Sequence, residues 1–293
     1  MSKSTLHQYC SSNGSPGSSS SDIPDCSNAV ALGNRSSDGV TSQVQRPPLL
    51  NIKVPRLGDI KPQYKKLESI ERPIDIVLLT VEDVEFLNCY AVLTNVCCSY
   101  FESLGMVYFG EIICEDGNKV KVALLRCNES AAAVGGSLTV VTNAVASLAP
   151  KAVICTGCCG RLDPSRAELG DVVISRTLST YAHKVINQGQ EENRGVRVDV
   201  TRHMGKLILS AADGWNPPVK DPAEADKINV HKNGDILSGP ELVNNDERRK
   251  QLLEKHPTAV GIEMEGEGII SIYSSIQYFI CLIAILVYQR VGL

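Results

Sequence analysis

Gly261-Ile-Glu-Met-Glu-Gly-Glu-Gly268 is the stretch around which the sequence is organised. It places three carboxylates, Glu263, Glu265 and Glu267, at alternate positions after an apolar approach. This pattern predicts a strand that leads into the first turn of a helix, where carboxylates are favourable and glycine lets a ligand come close. A carboxylate there can accept hydrogen bonds from two adjacent hydroxyls, such as those of a ribose. On spacing alone, a solvated acidic turn is the alternative.

The bulk composition limits the classes of protein to which the chain can belong. The chain has 293 residues, a formal net charge of -4 and 43% hydrophobic residues, which suits one globular domain with a tail, or two small domains. The mild acidity gives no electrostatic argument for a nucleic-acid partner. Residues 1–21 are polar, without the apolar core of a signal peptide, so the 11 cysteines are expected to be reduced thiols in the cytoplasm. Cys155 and Cys158 form a C-x-x-C pair, but no second pair lies at zinc-ribbon spacing, and no metal site is predicted.

Three regions follow one another along the chain. Residues 1–45 are rich in serine and glycine and cannot bury enough apolar surface to offset the entropy of ordering, so they are predicted to be disordered. Residues 46–72 contain several prolines and are interpreted as a linker. The folded domain is expected to cover residues 73–293.

Within this domain, apolar patterning predicts alternating strands and helices. The run Ile74-Asp-Ile-Val-Leu-Leu-Thr80 is typical of a buried strand. The other predicted elements are helices at 84–104 and 131–148, a hairpin of strands 107–114 and 120–126, strands 151–156 and 171–175, and a loop at 157–160. Strands that alternate with helices favour a layered α/β domain.

Glu263-Met264-Glu265-Gly266 resembles the ribose-binding motif of the nucleoside phosphorylase family, which includes purine and uridine phosphorylases and methylthioadenosine/S-adenosylhomocysteine nucleosidases. Further motifs stand in the family's order, namely strand 152–156, loop 157–160, Leu169-Gly-Asp-Val-Val173 and Ser238-Gly239. The chain looks closest to an invertebrate-type branch of this family. The resemblance implies a three-layer α/β phosphorylase/hydrolase-like fold with a mixed central sheet, and the sequence lacks the family's usual closing C-terminal elements. It also implies a nucleoside substrate, a homo-oligomer and no cofactor, with phosphate as a possible co-substrate.

The resemblance assigns substrate contacts to seven positions. Within the acidic motif, Glu265 would accept the ribose hydroxyls, Met264 would pack on the ribose face, and Glu263 belongs to the same substrate-binding group. Gly157 and Cys158 would contact the ribose or an anion, although the family usually has serine where this chain has Cys158. The base would lie near residues 238–243, against Leu242 and Val243. The nucleosidases have an aromatic residue at the position of Leu242.

Cleavage of an N-glycosidic bond also needs an activated nucleophile. In the nucleosidases, a glutamate just beyond the first strand binds the attacking water. Glu85 is the preferred candidate, with Glu82 or Asp83 as alternatives, and a helix start that favours acids would explain all three. Arg126 is a possible phosphate ligand, or an ordinary arginine at the end of a strand. Purine-type phosphorylases have arginine where this chain has Thr156, and in this respect the chain resembles the nucleosidases.

The acid that protonates the leaving base is not identified. The family places an aspartate after a strand downstream of the acidic motif, but here no Asp or Glu follows Glu267. Two functions therefore stay open, namely cleavage of nucleosides, at a full or an impaired rate, and a nucleoside-binding or interaction module without catalysis. His183, His203 and His231 lack partners at a diagnostic spacing and are expected to be ordinary surface or core residues.

The uncharged stretch 269–288 allows two interpretations. Its length is close to the ~20 residues of a transmembrane helix, so a membrane anchor is an alternative to the cytoplasmic location. The favoured interpretation is a buried helix to about residue 275 followed by a buried strand at 279–287.

Overall fold

A computed structural model describes residues 48–272 and 279–287. The disorder predicted for residues 1–45 lies outside this range. The described helices are α1 Asp83–Ala91, α2 Ser137–Leu148, α3 Arg202–Ser210, α4 Pro222–Ala225, α5 Asp246–Lys255 and α6 Gly266–Ile272. Among the described residues, no helix combines the length and apolar character needed to cross a membrane.

The described strands mix with these helices, singly in some places and in runs such as β3–β5 and β6–β10 in others. They are β1 Gln63–Tyr64, β2 Ile76–Thr80, β3 Thr94–Phe101, β4 Gly105–Ile113, β5 Lys119–Arg126, β6 Ala152–Arg161, β7 Val172–Thr180, β8 Lys184–Asn187, β9 Gln190–Asn193, β10 Arg197–Asp199, β11 Val230–Ser238, β12 Ala259–Glu263 and β13 Phe279–Val287. The predicted strand at 279–287 is confirmed, and so is the predicted passage from strand β12 into helix α6.

One large mixed sheet follows the order β1-β3-β4-β5-β2-β6-β12-β11-β7-β10, and β13 pairs with both β6 and β7. Strand β6 joins the two halves of this sheet. Its first half runs parallel to β2, from Ile76 opposite Ala152 to Leu79 opposite Cys155, and its far end pairs antiparallel with β12. Because β13 lies between β6 and β7, the strands β6, β12, β11, β7 and β13 pair in a closed circuit.

Helices cover both faces of β2, which gives the predicted three layers. Val77 and Leu79 point to the core that contains Val141 and Leu148 of α2. Ile76 and Leu78 lie on the opposite face, with Phe86 of α1. Alternate side chains of a strand point to opposite faces, so a strand covered on both sides is expected to be apolar on both, as Ile76-Val-Leu-Leu79 is.

The helix predicted at 84–104 is wrong beyond residue 91. Helix α1 ends at Ala91, and β3 follows from Thr94 to Phe101. Asn95 has a φ of 54°, which the interior of a right-handed helix does not accommodate. The segment is rich in β-branched and aromatic residues, and its pairing with β4 overrides the apparent helical spacing.

Two other boundaries differ from the prediction. The loop predicted at 157–160 is part of β6, because β13 pairs with this stretch as far as Gly160. Helix α2 begins at Ser137 rather than at residue 131, and Ser130, at a φ of 72°, belongs to the preceding loop. Segment 46–72, interpreted as a linker, contributes β1 to the edge of the sheet.

Asp171 anchors the start of β7. Its side chain accepts hydrogen bonds from the backbone amides of Glu168 and Asn229, both at 2.9 Å, and lies 2.7 Å from Nε2 of His231. Burial alone would raise the pKa of Asp171, but the bonds from His231 and the two amides outweigh it and hold this pKa below its usual value. The histidine set aside in the sequence therefore has a buried carboxylate as its partner.

We expect Asp171→Asn to lower the free energy of unfolding by about 1–3 kcal/mol, because the amide group leaves charge-assisted bonds of a buried site unmade. Denaturant titration would measure the loss. Because folding lowers the pKa of Asp171, its carboxylate stabilises the folded protein fully at any pH above the pKa that Asp171 has in the unfolded chain. The deficit of the variant should shrink as the pH falls through the folded-state value, which lies below 3.8. Asp213→Asn, which removes an exposed pair with Lys232, is the control and should leave the free energy of unfolding nearly unchanged. Equal losses in the two variants would contradict the anchoring role.

Candidate functional site

Glu263, the first acid of the motif, faces the interior. It is 5% exposed, and its Oε2 accepts hydrogen bonds from the amides of Glu265 at 2.7 Å and Gly266 at 2.8 Å. Its Oε1 has no hydrogen-bond partner of good geometry among the described residues. Burial, and then the charge of Glu265, raises the pKa of Glu263 to about 7, against the effect of the Ser238 hydroxyl and the two amides. Glu263 thus fixes the turn between β12 and α6.

Glu265, the second acid, points towards the loop that precedes α2. Its Oε1 accepts a hydrogen bond from the amide of Ser130 at 3.0 Å. Burial raises the pKa of Glu265, the Ser130 amide opposes this rise, and the charges of Glu85 and Glu129 add to it. The left-handed conformation of Ser130 costs of order 1–3 kcal/mol, and such strained residues cluster at functional sites. The carboxylate of Glu265 is therefore held in place by Ser130 and stays partly accessible to solvent.

Glu85 is the member of the first acidic group that reaches β6. Its Oε2 accepts the amides of Val81 at 2.9 Å and Glu82 at 3.0 Å, and its Oε1 accepts the amide of Cys158 at 2.9 Å. Gly157 makes this approach possible, because a Cβ atom there would lie 2.6 Å from Oε1 of Glu85. The same contacts place Glu85 in the first turn of α1, where acidic side chains are favourable. The alternative interpretation of these acids, as residues that start a helix, therefore also applies to Glu85.

The other two acids of this group are differently placed. Glu82 is exposed at the start of α1, and Asp83 forms an ion pair with Arg126. Arg126 also lies over the ring of Phe86, with its guanidinium carbon 5.4 Å from the ring centroid. Asp83 therefore balances the positive charge considered for phosphate binding.

Neighbouring thiols experience the negative field of these carboxylates. The thiol of Cys158 is open to solvent on one side and crowded by protein on the others. That crowding, then the charges of Glu85 and Glu82, raises the pKa of Cys158 to about 11. Burial, then the charges of Glu265 and Glu85, raises the pKa of Cys127 to about 12. The backbone also joins the two carboxylates. The amide of Cys127 bonds the carbonyl of Thr80 at 2.9 Å, next to the Val81 amide that holds Glu85, and the Ser130 amide that holds Glu265 follows three residues after Cys127.

The segment considered for the base lies beside the acidic motif. Ser238 Oγ accepts the amide of Glu267 at 2.7 Å, and Val243 is buried. Leu242 is 56% exposed, which leaves an apolar side chain open at this edge of the site. Tyr181, which the sequence did not indicate, packs so closely that a Cβ on Gly239 would lie 2.6 Å from its ring. Ser238, Tyr181 and Val243 are buried, so Leu242 is the member of this group that faces solvent.

His183 and Glu267 form a contact that sequence spacing could not show. Nε2 of His183 lies 2.5 Å from Oε1 of Glu267, although the two residues are 84 positions apart. Glu267 is the third acid of the motif, and its amide bonds Ser238, so this pair borders the base segment. His183 is a surface residue, as expected, and its position just after β7 brings it to Glu267 in the first turn of α6.

Other features of the described residues lie apart from this group. No cluster of three or more His, Cys, Asp or Glu side chains among them could hold a metal ion. A cavity of about 420 Å³, lined by Leu67, Arg72, Phe101, Glu102, Ser103 and Ser147, contains none of the site residues.

We expect Glu85→Gln to lower the pKa of Cys158, because removing the carboxylate charge makes the thiolate less unfavourable. The rate of alkylation at Cys158, followed against pH by mass spectrometry, should therefore rise at neutral pH, since the thiolate is the reactive form. Glu68→Gln, at an exposed turn away from the site, is the control. An unchanged pH profile at Cys158 would show that Glu85 does not lie against β6.

Two curated relatives match parts of the chain. It is 28% identical over 166 residues to the 5′-methylthioadenosine/S-adenosylhomocysteine nucleosidase of Maridesulfovibrio salexigens, a match that covers 55% of this chain and 66% of that protein. It is 30% identical over 146 residues to the Death domain-containing ATP nucleosidase of Amphimedon queenslandica, which covers 44% of this chain and 27% of that protein. The chain thus spans just under two thirds of the first relative and about a quarter of the second.

Solved structures share the fold. The Streptococcus pneumoniae MTA/SAH nucleosidase in complex with 8-aminoadenine has a TM-score of 0.57 at 16% identity, covering 74% of this chain and 86% of that one. The Colwellia psychrerythraea MTA/SAH nucleosidase in complex with adenine has a TM-score of 0.57 at 17% identity, covering 73% and 82%. At these identities the likeness establishes the architecture. The model of the phosphorylase superfamily matches residues 84–286, which is most of the folded chain, and the chain therefore belongs to the phosphorylase superfamily.

Proposed function

We propose that this chain cleaves the N-glycosidic bond of a nucleoside. The observation that carries the proposal is the meeting of Glu85 and Glu265, which come from distant parts of the sequence. The amides that hold them, those of Val81 and Ser130, lie on segments joined by the backbone bond from Cys127 to Thr80. Nucleosidases among the curated relatives support the same reaction class, although each matches only part of its length. Cytoplasmic location and homo-oligomeric assembly stay predictions from the sequence.

We assign a different part of the reaction to each of the two carboxylates. As the bond from C1′ to the base nitrogen breaks, its electron pair leaves with the base and positive charge develops on the ribose. Glu265, held by Ser130, would accept the ribose hydroxyls and stabilise that charge. Glu85, held by three backbone amides, would accept the proton that the nucleophile loses as it bonds to C1′. Met264, Gly157 and Cys158 would border the ribose, and Leu242 and Val243 the base.

A second candidate is nucleoside binding without turnover. It is favoured by residues 268–293, which include strand β13 and contain no Asp or Glu to protonate the leaving base. General acid help is typically worth 10²–10⁴-fold in rate. A site that lacks it would retain the ribose contacts while cleaving slowly.

We expect Glu265→Ala to weaken nucleoside binding by about 1.5–3 kcal/mol, the usual contribution of hydrogen bonds to a charged group. Calorimetry with adenosine, inosine, uridine and methylthioadenosine would measure the loss. Glu254→Ala, an exposed change on α5, should leave the affinity unchanged. Equal affinity in the parent and Glu265→Ala would remove Glu265 from the site.

We expect Glu85→Gln to reduce the release of free base from the same nucleosides by at least ~10²-fold, because the nucleophile loses its proton acceptor. The assay follows free base, with and without phosphate. Turnover that survives in Glu85→Gln would exclude its role as base. Binding without base release by the parent would instead support the second candidate, and the absence of both binding and release would overturn both functions.

A further inference from the structure

Segment 238–243, which the proposed function places against the base, begins where strand β11 ends. Strand β11 lies between β7 and β12 and runs parallel to both, so all three strands end at the same edge of the sheet. The chain that leaves β7 bonds this point, since the amide of Tyr181 donates to the carbonyl of Ser238 at 3.4 Å. The chain that leaves β12 bonds it as well, since the amide of Glu267 donates to Oγ of Ser238 at 2.7 Å.

The pair of His183 and Glu267 joins these two flanking chains. His183 comes shortly after β7 and Glu267 shortly after β12, so their contact, 2.5 Å from Nε2 to Oε1, spans the end of the strand between them. Tyr181, two residues before His183, packs its ring on Gly239 at the start of the base segment. The imidazole is therefore carried to the place where segment 238–243 leaves the sheet.

The contact with Glu267 determines what the imidazole can do. A carboxylate that binds one ring nitrogen orients the ring and fixes the role of the other nitrogen. Because Nε2 faces Glu267, a ligand would meet Nδ1. The side chain of His183 is 58% exposed and that of Glu267 is 25% exposed, so the ring is open both to a ligand and to water that can restore a proton.

Other titratable groups beside the base segment are already engaged. The two carboxylate oxygens of Glu241 accept bonds from Arg248, both at 2.8 Å, and a carboxylate paired in this way has no proton to give. The hydroxyl of Tyr181 lies at the backbone of Glu241, and burial, then the charge of Glu241, raises the pKa of Tyr181 to about 12. Glu263 is 5% exposed, and its Oε1 is covered by Gly266, where a Cβ atom would lie 2.7 Å away.

We propose that His183, oriented by Glu267, is the acid that protonates the leaving base. As the bond from C1′ to the base nitrogen breaks, its electron pair leaves with the base, and the Nδ1 proton of the imidazolium passes to a ring nitrogen of that base. The nucleophile bonds to C1′ and gives its proton to Glu85. The imidazole, now neutral, keeps its Nε2 proton on Glu267 and regains a proton at Nδ1 from water. The inference rests on the proposed function for the position of the base.

The test compares two kinds of leaving group on the full chain. Adenosine and inosine release a base that needs a proton, whereas 4-nitrophenyl β-D-ribofuranoside releases a nitrophenolate that is stable without one. We expect His183→Gln to slow the release of free base by at least ~10²-fold, because the amide cannot supply a proton. The same variant should change nitrophenolate release by less than about threefold, since general acid help contributes little there.

Glu267→Gln tests the positioning residue by the same comparison. It should slow base release by roughly tenfold, because the ring loses its charged partner but keeps its proton, and it should leave nitrophenolate release nearly unchanged. His203→Gln is the matched control, since His203 is an exposed histidine on α3. It should leave both rates unchanged.

The outcomes separate this inference from the proposed function. Equal losses with both kinds of leaving group in His183→Gln, or no loss with either, would overturn the acid role while leaving nucleoside cleavage standing. A parent chain that releases nitrophenolate but no base would also overturn it, because the carboxylates would then act without an acid. A parent that cleaves neither compound would overturn the proposed function, and the acid assigned to it would fall with it.

Discussion

The parallel pairing of β2 with β6 is the interaction on which the sheet and the site both depend. It ends at Leu79 and Cys155, and the chain beyond each end supplies one half of the next contact, Glu85 from α1 and the Cys158 amide from β6. Because parallel strands end at the same edge of a sheet, groups far apart in sequence arrive together without a dedicated loop. The far end of β6 then pairs with β12, which delivers the acidic motif to the same region.

This arrangement concentrates like charges that repel one another. Backbone amides offset part of that cost, since each of Glu85, Glu263 and Glu265 accepts at least one main-chain hydrogen bond. The compensation is incomplete, because the pKa values of Glu263 and Glu265 stay raised. A group of carboxylates kept in an unfavourable state by its surroundings is more typical of a functional site than of a structural one.

Sequence patterns predicted the elements whose signals are local. The apolar run of β2 and the acid-glycine junction of β12 with α6 can be recognised without knowing their neighbours. The strand β3 was missed because its partner β4 decides its conformation, and residues 157–160 were missed as strand because β13 completes them from far along the chain. The choice of Glu85 over Asp83 depends on which side chain reaches β6, and the pair of His183 with Glu267 depends on β7 meeting α6. The spacing of residues along the sequence does not show which of them meet in the fold.

The position of β13 in the closed circuit of strands has a consequence for biosynthesis. Residues 152–160 and 172–174 are translated long before residues 279–287. One hydrogen-bonding edge of each of these segments has its partner in β13. Until that strand emerges from the ribosome, β6 and β7 present unpaired backbone N–H and C=O groups along apolar segments. Such edges readily pair with other chains. Parallel pairing over so long a separation is also slow to form. The nascent chain should therefore depend on chaperones that cover this gap between β6 and β7.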